Sequence, residues 1–248
     1  MPKPVLYIFA ISHYCEKACW ALDYLNIDYE ITHLPPGIHK RIAKALGAPR
    51  SSLPILVADG QVVQGSAEII SWADAAASTD SKRLTPDNAR DECLEVEKRL
   101  DDIAGVHARR YYYSEALVDH PETVRPIFTK DLPIMQKLLV GATWGVVRKR
   151  MIDLMNLGPE QGQESKRIVD GELTWIDGML SDGRHVLAGE QFSRADLTAA
   201  SLLAPLAVPK EHPTYANLRL PPNLTTDLAN WANRPSLNWV REIYAEYR

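Results

Sequence analysis

From Val5 to Ala10 the chain is continuously apolar and rich in β-branched and aromatic residues (VLYIFA). This is the pattern of a strand buried on both faces in a parallel sheet. From Ser12 to Asn26 the period changes: Ala18, Ala21, Leu22 and Leu25 recur at helical spacing, which predicts a helix packed on that strand. Asp28 to Leu34 (DYEITHL) reads as a second strand, and strand, helix, strand in that order implies a right-handed parallel crossover. A Pro-Pro-Gly break and a short helical piece from Ile38 to Leu46 lead to LPILVADGQVVQ, where Asp59-Gly60 between two apolar runs marks a hairpin. Ser66 to Ala77 closes the unit as a helix.

Beyond Ser78 the polar run STDSKRLTPDN reads as a linker, and no convincing strand follows it. Cys93, Val96, Leu100, Ile103, His107 and Tyr111 form a helical stripe from about Asp87 to Leu117. Pro126 and Pro133 interrupt before a helix from Ile134 to Asn156. Further helices are expected over Gln163 to Leu180, Arg194 to Ala207 and two C-terminal segments split by Pro235. The expected organisation is an α/β domain over 1–78, a linker over 79–89 and an all-helical domain over 90–248.

Composition narrows the function classes. The 248 residues carry 28 basic and 32 acidic side chains, a net charge of −4 with no dominant Lys/Arg block, so nucleic acid is not an expected partner. Three cysteines, an odd number in a chain this long, do not make a disulfide framework, which points to a reducing compartment, the cytoplasm. Lys3 followed by VLYIFAIS leaves too short an apolar region for a secretory signal. Uncharged runs in the second half such as Leu138 to Val147 are well short of the roughly 20 residues of a membrane helix, so no membrane association is expected.

Chemistry concentrates in AISHYCEKACWAL, which places Ser12, His13, Tyr14, Cys15 and Cys19 at a strand-to-helix switch. A metal shared by His13, Cys15 and Cys19 would lack a fourth ligand at suitable spacing, so no metal is expected. Cys19 reads as a small buried hydrophobe. Ser12 has two readings, a plain N-cap or part of an anion site where the first N–H groups of the helix lack partners. Ser193 to Asp196 is a capping box with Phe192 and Leu197 as its hydrophobic staple, and belongs to folding.

Four motifs in order, S-H-Y-C-E-K, A-P-R-S-S-L-P-I-L-V-A-D-G, Q-G-S-A-E-I and F-S-R-A-D-L, resemble those of the cytosolic glutathione transferases over nearly the whole chain. The resemblance implies a thioredoxin-like N-terminal domain, an all-α C-terminal domain, glutathione as co-substrate and a homodimer. Ser12 then occupies the position of the serine or cysteine that meets the glutathione sulfur, and Cys15 that of the second cysteine of a glutaredoxin-like C-x-x-C. Tyr14 and His13 are neighbouring catalytic candidates. Pro54 resembles the family's cis-proline, with the Leu53 backbone pairing the cysteinyl part of glutathione, and Ser66 the residue holding the γ-glutamyl carboxylate at a helix start. The family usually has Glu, Gln or Asp before that serine. Here it is Gly65, which leaves either compensation by Gln64 or weaker glutathione binding.

The stretch VHARRYYYSEAL offers a lining for the acceptor site. His107, Arg110, Tyr111 and Ser114 share one helical face, which reads equally as acceptor lining or as core. The activity implied is conjugation of the glutathione thiolate to a small, largely apolar electrophile. The alternatives are a thiol-disulfide oxidoreductase using Cys15, or a glutathione-binding protein without turnover.

Overall fold

The computed structural model describes residues 3–77, 82–215 and 219–248. The N-terminal unit runs β1 (Val5–Ile8), α1 (His13–Tyr24), β2 (Glu30–His33), α2 (Ile38–Ala45), β3 (Ile55–Ala58), β4 (Gln61–Gln64) and α3 (Ser66–Ala76). Its sheet has the order β2-β1-β3-β4. β1 pairs parallel with β2 and antiparallel with β3, Tyr7 opposite Ile55, while Ile55 in turn faces Gln64 on β4. This is a thioredoxin-like sheet. Asp59 and Gly60 both take positive φ (48° and 77°), as a two-residue turn matched to strand twist requires.

β1 is shorter and less enclosed than its apolar run implies. Leu6 and Ile8 are buried, but Val5 and Tyr7 only in part. The strand ends at Ile8 because the Ser12 N–H turns back to the Phe9 carbonyl at 3.1 Å and starts α1. One consequence of the register fixes the site. The C-terminal end of β1, the N-terminal end of β3 and the C-terminal end of β4 lie at the same end of the sheet.

The second half is helical: α4 (Arg90–Arg99), α5 (Gly105–Ala116), α6 (Pro121–Thr129), α7 (Ile134–Met155), α8 (Pro159–Leu180), α9 (Arg194–Ala207), α10 (Pro222–Trp231) and α11 (Pro235–Tyr247). The stripe from Asp87 to Leu117 is not one uniform helix. Asp87–Ala89 is a 3₁₀ turn, and a π-helical segment, Leu100–Ala104, joins α4 to α5. That wider turn turns the Asp101 carbonyl to the Tyr14 hydroxyl at 2.7 Å. Gly105 follows it, and a Cβ there would lie 2.6 Å from the same hydroxyl oxygen.

Pro126 does not break the chain as expected but sits inside α6. The carbonyl it leaves unpaired belongs to Glu122, which is exposed to water, while Val124 and Phe128 anchor the helix in the core. α8 starts at Pro159, four residues earlier than the pattern implied, since proline suits the first helical position.

α9 is buried along its whole length and forms the centre of the C-terminal core. Its capping box is present: the Asp196 carboxylate accepts from the Ser193 N–H and hydroxyl at 2.9 Å, and also from the Leu187 N–H at 2.6 Å. Phe192, beside it, stacks on Tyr247. α7 is the contrast. Val140 is its one buried residue, and Ile134, Met135, Leu138 and Val146 are exposed. Among the described residues no helix is long and apolar enough to cross a membrane.

Buried ions join the two halves. Lys17 on α1 reaches Glu97 and Asp101 at 2.8 Å, and Arg194 on α9 reaches Glu97, Ser71, Thr85 and the Ala67 carbonyl. Of the expected linker 79–89, residues 79–81 lie outside the described residues. Leu84 and Thr85 are buried, held by the Asp74 carboxylate through the Leu84 N–H at 2.8 Å and the Thr85 hydroxyl at 2.6 Å.

Candidate functional site

The sheet register brings three backbone features to one end: the turn after β1, the loop before β3 and the start of α3. At the first, Ser12 is the N-cap of α1 in extended conformation (φ −82°), and its side-chain oxygen accepts from the Cys15 N–H at 3.3 Å. A hydroxyl has one proton and two lone pairs. The cap uses a lone pair, so the proton remains for a ligand. The N-cap and ligand-donor readings of Ser12 are therefore compatible.

Its neighbours are committed elsewhere. His13 is buried, with Nε2 3.0 Å from the Gly105 carbonyl. Burial, with the Arg109 cation adding to it, pushes its pKa down to about 3 against the opposing Gly105 bond. His13 is thus neutral at pH 7 and its Nε2–H faces the C-terminal domain. Tyr14 donates its hydroxyl to the Asp101 carbonyl, and burial raises its pKa. Cys15 is 1% exposed, and burial pushes its thiol up to about 11. It is protonated at neutral pH. Cys19 and Cys93 are also buried. Among the described residues no group of three or more His, Cys, Asp or Glu side chains is placed to hold a metal.

At the second feature the Leu53-Pro54 peptide is cis. The Leu53 N–H and C=O make no backbone hydrogen bond among the described residues, while the Pro54 carbonyl accepts from the Gly65 N–H at 3.1 Å. Gln64 shapes this loop. Its amide accepts from the Arg50 N–H at 2.9 Å and donates to the Arg50 and Ser52 carbonyls at 2.7 Å. The Gln64 side chain is therefore engaged in the loop beside Gly65.

Gly65 has φ +106° and ψ 145°, a backbone that side-chain-bearing residues rarely adopt, so glycine there has a conformational reason. Ser66 follows as the first residue of α3, and no side chain caps that helix. Its first N–H groups are open to an anion. The Arg50 guanidinium comes within 3.8 Å of where a Gly65 Cβ would stand. Arg50 lies inside the A-P-R-S-S-L-P motif, and its basic charge beside a helix start was the overlooked signal.

The four acceptor candidates sit elsewhere. His107 Nδ1 meets the Ser165 hydroxyl at 3.1 Å, Arg110 pairs with Glu164 at 3.0 Å, Tyr111 donates to Asp227 at 2.7 Å, and Ser114 accepts from the Gly158 N–H at 3.4 Å. That face packs against α8, the turn before it and α10, with Tyr111 and Ser114 buried and His107 and Arg110 partly exposed. The opposite face turns toward α1. There a cavity of about 10 Å³ is lined by Ile11, His13, Arg109, Tyr112, Tyr113 and Tyr215. Gly105 gave the phase in advance: a residue without a side chain marks close approach, and Arg109, Tyr112 and Tyr113 follow it by four, seven and eight positions. The C-terminal domain also covers the turn after β1. The Thr214 and Tyr215 hydroxyls donate to the Ala10 and Ile11 carbonyls at 3.0 and 2.6 Å.

The family described as "Glutathione S-transferase, N-terminal domain" matches residues 6–81. Among solved structures, the chain is similar to beta-etherase LigF from Sphingobium sp. strain SYK-6 (20% identity, TM-score 0.60, covering 97% of this chain and 99% of that one). It is similar to glutathione transferase GSTFuA2 from Phanerochaete chrysosporium (17%, 0.67, covering 100% and 98%). It also resembles glutathione S-transferase CsGST63524 of Ceriporiopsis subvermispora, solved in complex with glutathione (14%, 0.65, covering 100% and 98%). Identities this low speak to fold alone. No curated protein matches the chain in sequence. Residues 6–81 match the glutathione S-transferase N-terminal domain model, and the chain as a whole shares the fold of the glutathione transferases it resembles.

Proposed function

We propose that this chain is a glutathione transferase that conjugates the glutathione thiolate to a small, largely apolar electrophile, acting in detoxification. The observation that carries the reading is the convergence at one sheet end of a half-buried serine hydroxyl with a free proton, an unpaired Leu53 backbone and an uncapped α3. In this reading the Leu53 N–H and C=O take the cysteinyl part of glutathione as an added strand. Ser66 and the α3 N–H groups take its γ-glutamyl carboxylate. Ser12 donates to the sulfur.

The chemistry follows from thiol acidity. A thiol with a pKa of about 8.5 is only a few per cent thiolate at pH 7, and a hydroxyl donor beside a helix start stabilises the anion. The thiol proton leaves to solvent. The sulfur then attacks an electrophilic carbon, a C–S bond forms, and the bond to the leaving group breaks with its electron pair. The buried, protonated Cys15 thiol weighs against the oxidoreductase alternative. The binding-protein alternative draws on Gln64, whose commitment to the loop leaves Gly65 without the acidic or amide side chain common at that point.

Two measurements test the reading. Reduced glutathione should raise the melting temperature, since a ligand in hundredfold excess over its dissociation constant stabilises by about 2.7 kcal/mol. Rates with free glutathione and an electrophile panel should then separate a catalyst from a binder. Neither a thermal nor a calorimetric response to millimolar glutathione would remove both readings. The resemblance also carries a homodimer and a cytoplasmic location, the first of which sedimentation equilibrium tests directly.

A further inference from the structure

α7 meets the rest of the protein along one edge. Its inward positions recur at helical spacing: Val140 is buried, Trp144 packs on Phe128, Arg148 donates to the Leu117 and Val118 carbonyls, and Met151 and Met155 lie against the core. The outward arc from Ile134 to Val146 carries no charge. Ile134, Met135, Leu138, Leu139 and Val146 stand on it with exposures between 48% and 76%, and Gly141, Ala142 and Gly145, all exposed, occupy its second half. Lys137 stands to one side, its Nζ on the Lys130 carbonyl. The exposed charges of α7 otherwise begin a turn further on, at Lys149, Arg150 and Asp153. A monomer rarely leaves so continuous an apolar strip in water without a use for it.

We propose that this face of α7 is an interface between two copies of the chain, the two α7 helices crossing antiparallel about a two-fold axis at Gly141 and Ala142. The face is self-complementary in shape. Its first half is bulky, with Ile134, Met135, Leu138 and Leu139, and its second half is small, with Gly141, Ala142 and Gly145. A two-fold axis across the helix lays Leu138 of one copy over Gly145 of the second, so bulk meets the small half and the backbones approach closely, whereas a parallel pair would set bulk against bulk. The rim is complementary in charge. The same axis carries Arg150 of each copy over the Asp131–Pro133 stretch of the second, where the Asp131 carboxylate has only His33 at 4.0 Å as an ionic neighbour. The area also fits: five side chains of roughly 200 Å² each, exposed to this degree, offer on the order of 600 Å² per copy, and the small residues and the Lys149 stem bring this toward the ~800 Å² that a stable interface takes from each partner. The proposal goes beyond the homodimer that the resemblance carries, because it names the surface, and it does not depend on the transferase reading.

Sedimentation equilibrium of the full chain and of Ala142→Glu tests it. The natural chain should be a dimer, and Ala142→Glu, which sets two like charges against each other on the axis, should weaken that dimer at least about a hundredfold. Mixing Ala142→Glu with Ala142→Lys should restore a heterodimer, which a folding defect would not allow. Ala142→Cys should cross-link under copper–phenanthroline: two thiols lose two protons to solvent and two electrons to copper(II) as one disulfide forms, which requires the two Cα atoms to lie within about 7 Å. The three natural cysteines are buried, so the natural chain should stay uncross-linked. A natural chain that is monomeric at about 100 µM overturns the proposal, and so does a dimer untouched by Ala142→Glu, which puts the interface on another surface. A monomer that floats with anionic vesicles, and ceases to in Ala142→Glu, gives the face to a membrane surface and equally overturns it. Calorimetry with glutathione on the same samples keeps the two readings apart: a dimer that binds no glutathione sinks the transferase reading alone, and a monomer that binds it sinks the interface alone.

Discussion

At Ser12 the observed cap and the proposed thiolate contact do not compete, because capping consumes a lone pair and thiolate stabilisation would consume the proton. Ser12→Ala should therefore show two separable effects. Loss of the cap should cost about 1 kcal/mol of stability. Loss of the donor should raise the pKa of bound glutathione, read from thiolate absorbance against pH, and slow conjugation at pH 7. An unchanged thiol pKa would move the donor role to the open N–H groups of the α1 first turn. Cys15→Ala should leave that pH profile in place, since the thiol is buried and held protonated. The sequence shows why Ser12 matters, because it stands where the strand pattern gives way to a helical one. It does not show that Cys15 is shut away. Spacing of three places Ser12 and Cys15 on similar faces, and which of them meets solvent depends on the second domain packed over the turn.

At the scale of elements the site is a loop problem. Gln64, the last residue of β4, makes three hydrogen bonds to the backbone of Arg50 and Ser52, and so fixes the loop that leads into cis-Pro54. Gln64→Ala leaves those backbone groups unpaired and should cost roughly 2–3 kcal/mol. It should also weaken glutathione binding at least several-fold by loosening the Leu53 backbone. Full affinity in a destabilised variant would show that the loop does not position the ligand. The hairpin, the crossover and α9 were legible because turn chemistry, period and capping agree there. The way α5 is packed was not. On a helix flanked by packed elements both faces are apolar enough to be core, and choosing between His107/Arg110/Tyr111/Ser114 and Arg109/Tyr112/Tyr113 needs to know which neighbour lies closer. Pro126 was misread for a related reason: a proline near a helix start leaves unpaired a single exposed carbonyl, which water satisfies.

For the whole molecule, two buried histidines at the domain junction contribute to the response to acid, beside His39, whose pKa burial lowers to about 4, and Asp196, whose pKa burial raises to about 6 and which acts in the opposite sense. His212 Nδ1 accepts from the Thr214 and Tyr215 N–H groups at 3.0 and 3.1 Å, which orders the segment that covers the Ala10 and Ile11 carbonyls. Protonating Nδ1 removes both acceptor bonds. Burial pushes its pKa down to about 3, with Arg248, His13 and Lys130 acting in the same direction. His13 is likewise held near about 3 by burial and by Arg109. Cations, and no carboxylate, are what each ring feels from its neighbours' charge. The sign is then fixed. In the unfolded chain both histidines take up protons as pH falls through about 6.5, while in the folded protein they resist until about 3, so the unfolded state binds more protons across that window. Their stabilising effect is full above about pH 6.5 and declines as pH falls, by about 1.4 kcal/mol per unit for each histidine and about 2.7 for the pair. Against a total of roughly 5–15 kcal/mol, this predicts a steep loss of stability between about pH 6 and 4. Denaturant midpoints followed by circular dichroism at half-unit steps should trace the slope. His212→Asn keeps an acceptor near Nδ1 without a titrating group, so it should about halve the slope while the segment stays in place. A slope unchanged by His212→Asn, or stability flat from pH 7 to 5, would remove these histidines as the acid-sensitive groups of the fold.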